Sequence, residues 1–311
     1  MSNANQYYGG YFWVAAISFI VPLFVAYKAL DTIKVTTKPE IKLDASGVDN
    51  QLWDYLLKNS VSNGLVDYRG LKTNYLFYDY IRQLGNAEPE KLATEADRLA
   101  LACNAYNAFV IYGVINHKTP ADVNAYAIDG VGFFDLKEHI FAGKTISLND
   151  LEHGMIRPDF QEPRIHVALV CAARSCPAIR SEAYVGEKIE DQLEDQSRIF
   201  ASSKKYVNFN EESGKLELSS ILDWYGSDFD RRYPEGGYLK WLDDLIVTDG
   251  LAGKALAETK LLKSKIQEAI AGSVEKEFLA YDWKLNSQSE PGKSSGGGGA
   301  ASGGSGSVLN E

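Results

Sequence analysis

The feature that most constrains this fold is an apolar stretch at 99–116, which carries no charged side chain along its whole length. A helix without a polar face is stable only when other elements surround it. Asn104 and Asn107 lie in its middle and disfavour a membrane span, because buried amides need hydrogen-bond partners. The sequence therefore predicts a helix at 94–115 that is buried on all sides, with Thr94 and Asp97 as its capping pair.

The remaining patterns predict an α+β domain that is mostly helical, with a small antiparallel or mixed sheet. The apolar, β-branched run at 164–172 has the length and composition of a buried strand. Turn residues predict two hairpins, at 138–147 and 206–218. Ser147 with Asp150 predicts a capped helix that ends before Pro158. Further helices are predicted at 49–60, 71–84, 177–182, 184–201, 219–225, 236–246 and 253–271.

The N-terminal run at 11–27 is uncharged and flanked by aromatic side chains. As a helix it spans about 25 Å, which is slightly short for a bilayer. No small-residue cleavage site follows it, so we expect an uncleaved single-pass anchor in membrane lipid, with a cleaved signal peptide as the alternative. The positive-inside rule places the domain in the cytoplasm, on the basis of Lys28, Lys34, Lys38 and Lys42.

The composition divides the chain into four parts. Residues 1–30 form the predicted anchor and 31–45 a polar tether. Residues 46–285 contain the patterns of one globular domain. The stretch 286–311 is rich in Gly and Ser, cannot build a core and is predicted to be a disordered tail.

Charge and cysteine content exclude several functional classes. The net charge is −10 at pH 7, and no dense Lys/Arg cluster is present, so nucleic acid is not an expected partner. The 3 cysteines are too few for a disulfide scaffold. Their spacing does not match a zinc site, and we expect no metal or cofactor. Cys171 and Cys176 lie close enough in sequence to act as a redox pair.

Cys176 is the candidate nucleophile. It follows the predicted strand and precedes Pro177, a residue favoured at the first position of a helix. A thiol at the start of a helix meets backbone N–H groups and the positive end of the dipole, which favour the thiolate. The residues predicted to contact substrate or an oxyanion are Ser175, Arg174 and Glu152.

A thiol nucleophile needs a base. His153, on the helix after Ser147, is the preferred base because that helix can pack beside Cys176. His166 is the alternative base, and is otherwise a core histidine. Asn104 and Asn107 are predicted either to orient the base or to tie down loops.

Four motifs occur in a characteristic order along the chain: Asn104-Ala105-Tyr106-Asn107-Ala108, then 147–154, 164–177, and Trp224-Tyr225 followed by Asp228-Phe229. Together they resemble the DUF547 family over about 50–285. Val170 and Asp223 depart from the family pattern, which has asparagine and a basic residue there. Trp224 and Tyr225 are interpreted as core residues.

The resemblance implies a fold and motif positions but no reaction, because the family is named for its unknown function. Bacterial members are often exported, which implies a domain outside the cytoplasm, against the lysine count. The order of histidine and cysteine is similar to that of permuted papain-like and transglutaminase-like thiol enzymes.

These observations lead to a first hypothesis, a membrane-anchored, thiol-dependent amide hydrolase or acyl transferase acting on a peptide or small amide. The alternative is a non-catalytic, membrane-tethered interaction module. That module would have internally satisfied histidines and asparagines and no cleft at Cys176.

Overall fold

The computed structural model describes residues 40–289. The predicted anchor at 11–27, most of the tether and the Gly/Ser-rich stretch from 290 onward lie outside the described residues. The described chain continues to Ser289, past the predicted start of the tail, and Asn286 is buried.

The described part is a mixture of helices and small sheets, as predicted. A π-helical turn at Glu152–Ile156 joins two short helices, and 3-10 turns occur at Pro89–Lys91, Phe133–Asp135 and Gly186–Lys188. The helices are α1 Asn50–Ser60, α2 Tyr68–Lys72, α3 Tyr75–Gly85, α4 Glu95–Asn116, α5 Leu148–Leu151, α6 Arg157–Phe160, α7 Ile165–Ala168, α8 Ile189–Ala201, α9 Ser220–Trp224, α10 Gly226–Arg232, α11 Gly237–Leu245 and α12 Gly253–Ile270.

The described strands form three antiparallel hairpins and one mixed sheet of order β7-β8-β9, in which β8 and β9 are parallel. The predicted hairpins at 138–147 and 206–218 are both present, and Ala142 and Gly143 have the positive φ angles that the first of these turns requires. The strands are β1 Val61–Ser62, β2 Leu65–Val66, β3 Ala127–Ile128, β4 Val131–Gly132, β5 His139–Phe141, β6 Lys144–Ile146, β7 Val207–Asn210, β8 Lys215–Ser219 and β9 Lys276–Leu279.

Helix α4 is the centre of the larger of two hydrophobic cores. The Thr94 side chain accepts the backbone N–H of Asp97, which caps the helix as predicted. By length and composition this helix could cross a membrane, but it is mostly buried inside the domain. The second core packs β7 and β8 against α11 and α12.

The predicted strand at 164–172 is wrong. Residues Ile165–Ala168 form one helical turn, residues 169–171 lie outside any strand, and an isolated antiparallel bridge follows between Ala173 and Leu285. A buried extended segment normally needs a ladder partner. Here the side chain of Asn107 replaces one, since it donates to the Ala168 carbonyl at 3.0 Å and accepts the Val170 N–H at 2.8 Å.

The predicted helix at 177–182 is also wrong, so Cys176 is not a helix cap. The segment after Pro177 is irregular, and α8 begins only at Ile189. Its polar groups are engaged by α8 instead. Gln196 donates to the Ala178 carbonyl at 2.7 Å, and Arg180 pairs with Asp195 at 2.6 Å. Proline permits a helix start but supplies no hydrogen bond to form one.

Candidate functional site

A cavity of about 420 Å³ lies where the two cores approach each other. Its chemically reactive wall consists of two thiols, a histidine and a carboxylate, namely Cys171, Cys176, His166 and Glu152. Aromatic side chains form much of the remaining wall, and these are Tyr106, Phe133, Phe134, Trp224, Tyr225, Tyr281 and Trp283. Small-molecule sites have this size and this mixture of apolar wall and few polar groups.

The backbone after α7 brings the two thiols together. Asn107 holds the segment before Cys171, and Ala172 then turns the chain with a φ of 60°. The Cys171 N–H donates to Sγ of Cys176 at 3.0 Å. Cys176 is buried, whereas Cys171 is partly exposed. The accessible thiol of the pair is therefore Cys171.

The two thiols differ in acidity. Burial raises the pKa of Cys171, but hydrogen bonds from the Cys176 thiol, the Tyr281 hydroxyl and the Ala173 backbone outweigh it, so that pKa lies below its usual value. The Tyr281 hydroxyl lies 3.1 Å from Sγ of Cys171. Burial and the neighbouring Cys171 raise the pKa of Cys176 well above its usual value. When the pair loses one proton, the proton therefore comes from Cys171, and Cys176 stays a thiol.

His166 is held rigidly at the edge of this cavity. Its Nε2 lies 2.8 Å from Oδ2 of Asp228, and its ring stacks on Tyr225 with 3.7 Å between ring centroids. Arg157 binds the same carboxylate through two N–H groups, at 2.8 and 3.0 Å. The hydrogen bond from His166 and the charge of Arg157 hold the pKa of Asp228 well below its usual value. The carboxylate therefore remains ionised and accepts the Nε2 proton.

The surroundings keep His166 neutral. Burial lowers its pKa, and this effect exceeds the opposing hydrogen bond to Asp228. With Nε2–H donated to Asp228, Nδ1 is the ring nitrogen that carries a lone pair. Within residues 40–289, Nδ1 has no hydrogen-bond partner. An oriented, neutral imidazole that lines the same cavity as the more acidic thiol is a candidate acceptor for the proton of that thiol.

The structure does not bring His153 to the cavity. Its side chain is 41% exposed, and its Nδ1 accepts a hydrogen bond from Arg157 at 3.1 Å. Its neighbour Glu152, on the same π-helical turn, does line the cavity. The insertion of a π turn re-aims side chains along the helix, so Glu152 points inward where His153 points outward.

The two asparagines of α4 are structural. Asn104 donates to the carbonyl of Tyr184 at 2.8 Å and accepts its N–H at 2.9 Å. Asn107 clamps the segment before Cys171, as described above. Neither orients a histidine, so of the two predicted roles the structure supports the tying down of loops.

The predicted substrate contacts from the thiol loop lie outside the cavity. Ser175 accepts the Asp282 N–H at 2.8 Å, and the Arg174 N–H donates to the Lys284 carbonyl at 2.7 Å. Both residues thereby attach the C-terminal segment to the thiol loop. That attachment carries Tyr281 and Trp283 into the cavity wall.

The interpretation of Trp224 as a core residue is wrong, because its side chain lies at the cavity wall and is 47% exposed. Sequence reasoning also missed Asp228, Tyr281 and Trp283 as site residues. For Asp228 a signal existed in the late motif with Trp224. Residues 281–283 carried no such signal. Among residues 40–289, no group of three or more His, Cys, Asp or Glu side chains is arranged to hold a metal ion.

Comparison with known proteins gives one match. Residues 89–201 match the family model described as protein of unknown function, DUF547. This stretch contains both thiols, Glu152 and His166, whereas Asp228 and the aromatic residues 281–283 follow it. No curated protein and no solved structure matches the chain.

Proposed function

We propose that this chain, which carries a DUF547 segment at residues 89–201, is a thiol-dependent amide hydrolase or acyl transferase. Cys171 is the nucleophile, His166 the base, and Asp228 the group that orients the base. The observation that carries the proposal is that His166, held by Asp228, borders the same cavity as the more acidic of two thiols. Catalytic triads combine the same three groups: a nucleophile, a base and an acid that orients the base.

The reaction follows from these positions. The Cys171 proton passes to Nδ1 of His166 as sulfur attacks the carbonyl carbon of an amide, forming the C–S bond. The imidazolium then returns that proton to the leaving nitrogen as the C–N bond breaks, which leaves a thioester. Water or an amine, deprotonated by His166, attacks the thioester and breaks the C–S bond. His166 protonates the departing Cys171 sulfur and the site is restored.

In this proposal Cys176 has a supporting role, in place of the nucleophilic role predicted from its position before Pro177. Its sulfur accepts the Cys171 N–H, and its thiol proton stabilises a thiolate on Cys171. The Tyr281 hydroxyl is the second side-chain donor to that thiolate.

The cavity favours this proposal over a non-catalytic interaction module. A module predicts satisfied histidines and no cleft at Cys176. Both thiols line a cavity instead, and Nδ1 of His166 has no hydrogen-bond partner in the described region. The satisfied asparagines and the hydrogen bond from Arg157 to His153 agree with the module. The membrane anchor at 11–27 stays a prediction.

Alkylation of the full chain with iodoacetamide across pH 5 to 10 tests the identity of the nucleophile. Trypsin cuts after Arg174 and places the two cysteines on separate peptides, so mass spectrometry measures the alkylation rate of each. We expect Cys171 to react first, with an apparent pKa below the usual value of about 8.5. Tyr281→Phe removes a donor to the thiolate and should raise that pKa.

Tyr75→Phe is the matched control, because Tyr75 is exposed and lies outside the cavity. It should leave the Cys171 profile unchanged. Faster alkylation of Cys176 than of Cys171, or a Cys171 pKa at or above that of a free thiol, would contradict the proposal.

A dithiol redox protein is the second candidate, and the contact between Cys171 N and Cys176 Sγ favours it. Adding the covalent bonds at each end of that 3.0 Å contact limits the Cα–Cα separation to roughly 7 Å, about the limit for a disulfide. Oxidised glutathione would take two hydrogens from the pair and leave as two reduced molecules. A bridge that forms readily, while Cys171→Ala leaves acyl transfer intact, would favour this second function.

A further inference from the structure

We infer that the substrate presents an alkylammonium group to this cavity, held between an aromatic wall and the carboxylate of Glu152. The inference rests on the proposed function, since it assigns a substrate class to the same site. It draws on three observations: an aromatic cluster at the cavity wall, a buried carboxylate without an ion-paired lysine or arginine, and a wall to which no lysine or arginine of residues 40–289 contributes.

An aromatic cluster, which consists of Trp224, Tyr281 and Trp283, lines the cavity. Tyr281 lies 4.8 Å from Trp224 and 4.5 Å from Trp283, measured between ring centroids. The two indoles lie 5.8 Å apart and 17° from parallel. Trp224 is among the most exposed large apolar side chains of residues 40–289, at 47%. Indole and phenol faces attract cations through the quadrupole of the ring.

Glu152 supplies the charge. Its residue is 6% exposed, and it lines the cavity. Nδ1 of His153 lies 3.9 Å from Oε1 of Glu152, but that nitrogen already accepts a hydrogen bond from Arg157. Arg157 interacts electrostatically with Glu152, but its guanidinium is hydrogen-bonded to Asp228. A buried carboxylate without an ion-paired cation is costly, and a ligand cation would offset that cost.

The other charged residues of the cavity wall are also compatible with a cationic ligand. Among residues 40–289, no lysine or arginine lines the cavity, whereas Asp135 does. Tyr106 and Tyr225 lie near Glu152, whose charge adds to burial in raising the pKa of both phenols. They therefore remain hydroxyl donors and do not become anions that compete for the cation. A cavity of about 420 Å³ admits an alkylammonium chain beside the thiol.

Direct binding to the full-length Cys171→Ala protein tests the inference without any acyl chemistry. Choline is titrated while tryptophan fluorescence is recorded, in 150 mM salt, and is compared with its uncharged isostere 3,3-dimethylbutan-1-ol. We expect choline to bind roughly tenfold more tightly than the isostere. Glu152→Gln and Trp224→Leu should each reduce this ratio by about threefold or more.

Glu212→Gln is the matched control, because it removes the same charge from the exposed turn between β7 and β8. It should leave the ratio unchanged, which separates a local contact from the attraction of the net charge. Equal affinity for choline and its isostere, or equal effects of Glu152→Gln and Glu212→Gln, would overturn the inference. Acylation of Cys171 without cation preference refutes this inference alone, whereas cation binding without acylation refutes the thiol chemistry.

Discussion

Replacement of His166 by glutamine is expected to slow acylation of Cys171 by about 10²- to 10⁴-fold, the usual contribution of a general base. Glutamine retains an N–H donor for Asp228, so the ion pair with Arg157 keeps its partner. It cannot accept the thiol proton as imidazole does. The loss should therefore appear in the rate of acylation, with little change in folding.

The measurement uses p-nitrophenyl acetate, whose p-nitrophenol is released as the acetyl group is transferred to sulfur. Mass spectrometry then locates the acetyl group on Cys171 or Cys176. His153→Gln is the control, and because His153 lies outside the cavity its rate should stay within about twofold of the unmodified protein. If the two histidine variants are slowed equally, or if the acetyl group is found on Cys176, His166 is not the base for Cys171.

The domain is expected to lose about 3 kcal/mol of stability as pH falls from 6.5 to 4 because of one buried histidine, His139. This residue is 1% exposed and stacks on Phe109, and both of its ring nitrogens lack hydrogen-bond partners. Burial, followed by the charge of His117, lowers its pKa to about 4. Between about pH 6.5 and 4, His139 is protonated in the unfolded chain and neutral in the folded chain. The unfolded state therefore binds more protons, and stability decreases as pH falls through this range.

Urea unfolding at a series of pH values, for the unmodified protein and for His139→Leu, isolates this contribution. The variant cannot take up the proton, so the difference in unfolding free energy between the two proteins should grow in favour of the variant as pH falls. His153→Gln, which alters an exposed histidine, should follow the unmodified protein. Parallel curves for His139→Leu and the unmodified protein would show that His139 does not govern acid stability.

Local patterns predicted the elements whose causes are local. The uncharged stretch at 99–116 indicated a helix buried on all sides, and α4 is that helix. The capping box of Ser147 and Asp150 is present with both hydrogen bonds. Caps, turns and burial periodicity depend on neighbours within a few residues, so the sequence indicates where these helices begin. The predicted end before Pro158 is wrong, because Arg157–Phe160 is helical.

The failures share one cause, which is that distant side chains replaced the expected local hydrogen bonds. An apolar, β-branched run predicts a strand at 164–172, but Ile165–Ala168 is helical and the Asn107 side chain bonds the backbone of Ala168 and Val170. Pro177 favours a helix start, but α8 engages the following polar groups. Composition indicates that a segment is buried, but it does not indicate which groups will form hydrogen bonds with its backbone.

The same distinction applies to the site. The sequence limits the groups able to do thiol chemistry to a small set, because the chain has 3 cysteines and 4 histidines. Tertiary packing distinguishes their environments. It leaves Cys171 partly exposed and Cys176 buried, turns His153 outward, and joins His166 to Asp228. It also carried Tyr281 to the thiol from a segment 110 residues away. The acidity of a thiol and the orientation of a base depend on through-space hydrogen bonds and burial, which are properties of the packed domain and not of sequence spacing.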